Sequence, residues 1–434
     1  MRFGLAWTSL LAFAVGCGGT DEPESSLEDG CDIKLADCQN EIFAATAEMR
    51  EQSGATMPPV RTISVAEFRA WLEEEVAGEG MESDPWNAPL TVLGLLPEGS
   101  TIATEQVEAA VAGVAAYYQT ETKAVTIIDR GPNDPIDDVF VLAHEFAHAL
   151  QDASLDLEAF GETWEDSLDS SVAVSSLIEG EATVLGFGVV GKALDATPDR
   201  LNWTGLKANL RRAVFDEIEA SPAPLFTAVQ SLPYPLGTAQ LAPLWVGTGQ
   251  SAVDALYAAP PLSVLDWAED TNVTSRSRHQ ALDCEPTRGP AGFAGTHHDS
   301  FGPIGALAAL IGVGVDVDRA WLQAIGVRGD RVVLFHDEAD SGRFAVAWRI
   351  RFESEQAAAA FELGIAPALA EDASSAVDGS EVLLFGSSDP AALSSWTEVS
   401  ECGTTAELPA ASPESGEGDS AWRRIGRKRG LALR

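Results

Sequence analysis

The sequence predicts an α+β fold, mostly helical, in which one short strand leads into a long helix and a smaller α/β region follows toward the C-terminus. Three observations carry this. Most segments between Ser64 and Gly326 repeat their apolar residues at helical spacing. Lys123 to Asp129 is a short β-rich run bounded by turn residues. From Asp330 onward the texture changes to alternating apolar and polar positions, as in paired strands.

At 434 residues the chain has ample material for a buried core. Its 27 basic against 67 acidic side chains leave a net charge of −40, which repels nucleic-acid phosphates and anionic lipid headgroups. Nucleic acid is thereby excluded as a partner, and the charge reads as a solvated exterior.

The first sixteen residues read as an export signal: Arg2, then the apolar run Phe3 to Val15, too short to span a bilayer as a mature helix. Ala14-Val15-Gly16-Cys17 resembles the lipobox of bacterial lipoproteins, with Cys17 as the lipidated residue and Ala14 in place of the usual leucine. An ordinary signal-peptidase site after Ala12-Phe13-Ala14 is the alternative. The expected location is therefore outside the cytoplasm, lipid-anchored to the bacterial cell envelope, with residues 17–45 as an acidic tether. Export also suits the four remaining cysteines, Cys31, Cys38, Cys284 and Cys402. Of three possible pairings, Cys31 with Cys38 and Cys284 with Cys402 is the expected one; a cysteine-based zinc site lacks any Cys-x-x-Cys spacing.

Asp32 to Gln52 has loose helical character, and Ser64 to Val76 puts Phe68, Trp71, Leu72 and Val76 on one helical face. Thr104 to Tyr118 is expected to be helical and Lys123 to Asp129 a strand. Asp134 suits an N-cap, Pro135 a first helical position, and Asp137 and Asp138 the positive end of the dipole of a helix running to about Gln151. An acidic loop containing Gly161 should separate it from a second helix, Leu168 to Val190. Ala239 to Tyr257 and Ile304 to Gly326 read as helices, with 275–300 Gly-rich and irregular between them. Arg331 to Phe335 and Arg343 to Phe352 read as a hairpin around Asp340-Ser341-Gly342, followed by a helix, Ser354 to Leu363, and a strand, Glu381 to Phe385. The expected divisions are a main body over 46–270, a Gly-rich connection over 271–302, a small α/β region over 303–402 and a disordered tail over 403–434 that ends with Arg423, Arg424, Arg427, Lys428 and Arg429.

His144-Glu145-Phe146-Ala147-His148 carries the chemistry. Four residues apart on a helix, His144 and His148 project from one face, the spacing two imidazoles need to share a tetrahedral Zn²⁺. Glu145 lies on the neighbouring face, within reach of a water but not a ligand, as a general base requires. Packed, hydrogen-bonded histidines are the alternative, but two imidazoles and a carboxylate on so apolar a helix need partners. A third ligand must come from elsewhere. Ser171 to Gly191 is almost wholly apolar or small, yet holds Glu179 and Glu181, which face different ways on a helix, so only one should ligate.

His-Glu-x-x-His followed some thirty residues later by Glu-x-x-Ala resembles the gluzincin group of zinc metallopeptidases. The resemblance implies a zincin-like core over 46–270 and makes Glu179 the third ligand, with Glu181 as fallback. The run His144 to Asp152 together with Glu-Gly-Glu-Ala is also similar to uncharacterised exported bacterial proteins of this type. Pro233-Tyr234-Pro235-Leu236-Gly237 resembles the Pro-Tyr-x-x-Gly segment of gluzincin aminopeptidases, which implies an oxyanion-stabilising hydroxyl at Tyr234; a tyrosine at a proline-rich helix start is the alternative. Their Gly-x-Met-Glu-Asn type segment is absent, so aminopeptidase specificity does not follow.

The expected function is zinc-dependent peptide-bond hydrolysis by metal-activated water, with Glu145 as general base, a peptide or protein as substrate and the membrane met only through the anchor. Lys123 to Asp129 would hold an extended peptide by edge pairing. The rival is a catalytically silent envelope lipoprotein that keeps the fold and serves as a binding or scaffold protein. Three weaker features are His297-His298-Asp299, a second metal site or a solvated loop; Asp152 and Thr183, ligand-orienting groups; and His279 and His336, without recognisable partners.

Overall fold

In a computed structural model the protein is described over residues 31–78, 80–164, 166–268, 282–283, 290, 292–337, 339–340, 342–369, 371–395, 403–404 and 432–433. Cys17, Cys284, Cys402, His279, the signal segment and the basic cluster near the C-terminus lie outside these residues.

The elements run α1 (Ala36–Met49), β1 (Val60–Ser64), α2 (Val65–Gly78), α3 (Asn87–Val92), α4 (Ile102–Gly113), β2 (Ala116–Gln119), β3 (Ala124–Asp129), α5 (Pro135–Leu155), α6 (Leu157–Trp164), α7 (Leu168–Ala193), α8 (Trp203–Ala220), α9 (Pro224–Ser231), α10 (Pro233–Thr248) and α11 (Gln250–Tyr257). There follow β4 (Leu282–Asp283), β5 (Phe293–Asp299), α12 (Gly302–Gly312), α13 (Val317–Ala324), β6 (Val327–Asp337), β7 (Phe344–Phe352), α14 (Glu355–Ile365), β8 (Ala373–Asp378), β9 (Glu381–Ser387), α15 (Pro390–Ser395), β10 (Gly403–Thr404) and β11 (Ala432–Leu433). The fold is α+β and largely helical.

Two helices form its centre. Asp134 caps α5 by accepting from Ile136 N at 2.9 Å, with Pro135 at the first position. Ser167 and Ser170 cap α7 reciprocally. α7 is long and apolar enough to cross a membrane, yet 94% of its apolar window is buried inside the protein, which marks a core helix.

The first sheet has the order β1-β3-β2-β11, with β1 parallel and β2 antiparallel to β3. Of the expected Lys123 to Asp129, Ala124 to Asp129 forms an internal strand, and edge pairing of a peptide on it is ruled out because both of its edges are used. The expected helix to Tyr118 stops at Gly113: Val114 is already extended, and Tyr117 and Tyr118 pair across to Thr126 and Val125. The second sheet, β5-β6-β7-β9-β8, is antiparallel throughout and contains the expected hairpin.

Other differences have local causes. Residues 36–45, assigned to the tether, are folded: α1 buries Cys38, Ile42 and Phe43, and Phe43 meets Phe146 edge-on at 5.2 Å. Cys31 and Cys38 are disulfide-bonded across its start, as expected. The acidic loop around Gly161 contains α6, whose first N–H, on Leu157, donates to Asp152 at 3.1 Å while Leu157 and Phe160 are buried. The helix expected over 239–257 starts at Pro233 and breaks at Gly249 (φ 85°), and that over 304–326 breaks near Gly314 (φ 84°), positive values that favour glycine. Within the stretch expected to be irregular, Phe293 to Asp299 pairs with β6. The C-terminal stretch contributes β10, paired with β4, and β11, paired with β2.

One apolar core runs from α1 through α7 and α12 into β6 and β7. A boundary at 302/303 would cut a buried knot in which Asp330 accepts from Phe301 N at 2.8 Å, Gly302 N at 3.1 Å and Trp348 Nε1 at 2.8 Å.

Candidate metal centre

α5 and α7 pack side by side, and the face of α5 turned to α7 carries His144 and His148 one turn apart. His144 Nε2 lies 3.0 Å from Glu179 Oε2 and 2.8 Å from His148 Nε2, and His148 Nε2 lies 3.5 Å from the same Glu179 oxygen. These three form the single His/Cys/Asp/Glu group among the described residues whose geometry suits a metal ion. Both imidazoles are fully buried, and only 6% of the Glu179 side chain is exposed.

The donor set fits a divalent ion. Two imidazole nitrogens and one carboxylate oxygen leave a fourth tetrahedral position open, the pattern of catalytic rather than structural zinc sites. Bonds of about 2.0–2.1 Å require ligand atoms about 3.3 Å apart, so the observed separations need only small side-chain rotations to reach it. The electrostatics agree. Burial and the neighbouring His148 charge lower the His144 pKa to about 3. Burial opposes ionisation of Glu179, but the His148 charge and hydrogen bonds from both rings outweigh it and lower its pKa to about 2. His148 is raised despite its burial, by the charges of Glu179 and Glu145. The carboxylates thus favour positive charge between the two helices.

Glu145 is fully buried beside this group. Tyr234, in the first turn of α10, is also brought in: its ring centroid is 5.8 Å from that of His144. Two glycines make this approach possible. A Cβ on Gly180 would meet Gly237 Cα at 2.4 Å, so α7 and α10 cross backbone to backbone one residue from Glu179 and three from Tyr234.

Glu181, the fallback ligand, faces the other way, two residues on from Glu179. Its carboxylate accepts from Arg50 Nε at 3.0 Å and Gln151 Nε2 at 2.8 Å, and also from Gln250 Nε2 and the Tyr257 hydroxyl. Sequence reasoning missed Gln151, whose Oε1 is 2.8 Å from His148 Nδ1. Its position, three residues after His148, was the available signal.

Of the orienting groups expected from sequence, Asp152 holds Tyr118 OH and Lys123 Nζ, each at 2.6 Å, and none of its described hydrogen bonds reaches the His144 or His148 ring. Thr183 is buried with no hydrogen bond for its hydroxyl. His297, His298 and Asp299 lie on β5 and form no metal group among the described residues. Asp299 turns inward to accept from Leu168 N at 3.0 Å and Ser300 N at 2.7 Å, while the His297 ring lies 6.2 Å from that of His336.

No protein-family model, curated protein or solved structure matches this chain.

Proposed function

We propose that the chain is a zinc-dependent peptide-bond hydrolase of the gluzincin type, built on a zincin-like core and held at the cell envelope by a lipid on Cys17. The observation that carries the reading is the convergence of His144 Nε2, His148 Nε2 and Glu179 Oε2 within 4.8 Å of one another in the protein interior. When bound there, Zn²⁺ supplies Lewis acidity toward a water and a carbonyl oxygen. Glu145, adjacent to the ligand set but outside it, accepts the proton of the attacking water and returns it to the leaving amine. The Tyr234 hydroxyl donates to the oxyanion that develops on the scissile carbonyl.

The second reading, a silent zincin-like scaffold, draws on one observation: His144, Glu145 and His148 are fully buried. One experiment separates the two. The exported chain and its Glu145→Gln variant are assayed for bound zinc and for cleavage of casein and a broad peptide library. Hydrolysis lost on Glu145→Gln, with zinc retained, is the expected result. Cleavage by neither form supports the scaffold, and absence of bound metal removes the zinc-dependent hydrolase.

A further inference from the structure

Beneath the three ligands lies a buried polar network that the proposed chemistry does not use. Its centre is Glu181, whose Oε1 faces Arg50 and Gln250 and whose Oε2 faces Gln151 and Tyr257. Arg50 and Glu181 side chains are each 2% exposed. Every neighbour donates to this carboxylate, so the network has a fixed direction.

Gln151 inherits that direction. Its Nε2 faces Glu181 Oε2 at 2.8 Å, the Ile178 carbonyl at 3.0 Å and the Tyr257 oxygen at 3.0 Å. The first two only accept, so the amide nitrogen must point to them and the amide oxygen must point the other way. There it meets His148 Nδ1 at 2.8 Å. An oxygen acceptor at that distance requires a proton on Nδ1, and a neutral imidazole protonated at Nδ1 presents its lone pair at Nε2. Nε2 is the atom turned toward His144 and Glu179.

We infer that Gln151 is a positioning residue that locks neutral His148 in the Nδ1–H form, its amide held the right way round by the Arg50–Glu181–Tyr257 network. A carboxylate or backbone carbonyl is the common partner on the far nitrogen of a metal-binding histidine. Here an amide serves, and its orientation is imposed from the C-terminal end of α1, α7 and α11 together. The metal-affinity part of this inference rests on the proposed metal site; the tautomer part does not.

The test uses the exported chain, Gln151→Leu and Gln151→Glu, with ¹⁵N-labelled histidine. In metal-free protein, at a pH high enough for neutral His148, long-range ¹H–¹⁵N spectra report which ring nitrogen carries the proton. Zinc affinity is measured separately by chelator competition. We expect Nδ1–H in the wild type, a shift toward Nε2–H in Gln151→Leu, and zinc binding in that variant weaker by about 10- to 100-fold at unchanged stoichiometry. Gln151→Glu still offers an acceptor to Nδ1 and should keep the wild-type tautomer. Tyr257→Phe, which leaves Gln151 in place, should lie between wild type and Gln151→Leu and covers the case in which Gln151→Leu fails to fold. Nδ1–H with wild-type affinity in Gln151→Leu, or Nε2–H in the wild type, would overturn the inference. Should the wild type bind no zinc, the functional proposal falls while the tautomer measurement still decides this one.

Discussion

Two glycines on the same helix should respond to alanine in opposite directions. A Cβ on Gly237 would stand 1.8 Å from Ser176 O and 2.6 Å from Gly180 Cα. Carbon and oxygen tolerate about 3.3 Å, so α10 must withdraw from α7 by about 1.5 Å. Backbone cannot rotate away as a side chain can, so the cost reaches or exceeds the upper end of overpacking, about 3 kcal/mol. The same withdrawal carries Tyr234 away from His144; under the proposed function, a displacement of about 1 Å near reacting groups costs about 100-fold in rate. Gly247, ten residues on, has nothing within 4 Å of its Cβ position. Gly247→Ala should therefore gain about 0.5–1 kcal/mol from helix propensity alone. Urea unfolding of the two variants, with peptide cleavage measured in parallel, reads both effects. Equal stability of Gly237→Ala and wild type would refute the crossing as the feature that sets the distance between α7 and α10.

Asp299 makes stability depend on pH. Burial, with the charges of Asp330 and Asp166, raises its pKa to about 7 against the opposing hydrogen bonds from Leu168 N and Ser300 N. The folded state therefore holds a proton that the unfolded state releases above about 4, so this group's contribution is full below that pH and is lost as pH rises toward 7. Asp299→Asn keeps an oxygen for both backbone donors, so it should be more stable than wild type at pH 8 by urea unfolding, with the gap closing by pH 4; a pH-independent gap would contradict this. Arg50→Met strands the buried Glu181 charge and should cost about 3–5 kcal/mol, most of it recovered in Arg50→Met with Glu181→Gln. Reducing the Cys31–Cys38 bridge, a short loop at the start of α1, should cost about 2.5 kcal/mol, read as a lower urea midpoint in reductant.

What was legible in the sequence is what local geometry controls. The spacing of His144 and His148 on one helix fixes their shared face, and the two-residue offset of Glu179 and Glu181 lets only one of them turn to that pair; the choice of Glu179 came from the Glu-x-x-Ala resemblance, and the structure places its carboxylate beside both rings. The partner of His148 could not be read this way. Gln151 acquires its role from Glu181 on α7, Arg50 just after α1 and Tyr257 on α11, contacts separated by up to 131 positions in the chain. Tyr117 and Tyr118 were misassigned to a helix because apolar residues suit either period over so short a run, and pairing with β3 decides the matter. β1 offered the sequence five residues, exposed or half-exposed throughout, with little alternation to detect. A Gly-rich stretch resembles a linker in sequence, and nothing local shows that Asp330 accepts from the Ser300 hydroxyl and from the Phe301 and Gly302 backbone in the core.

X-ray absorption of the zinc-loaded chain tests the ligand assignment most directly. Two imidazole nitrogens and oxygen ligands around one zinc per chain are expected, with that signature lost in His148→Ala and in Glu179→Ala. A zinc that kept two imidazoles in His148→Ala, or no bound zinc in the wild type, would contradict it.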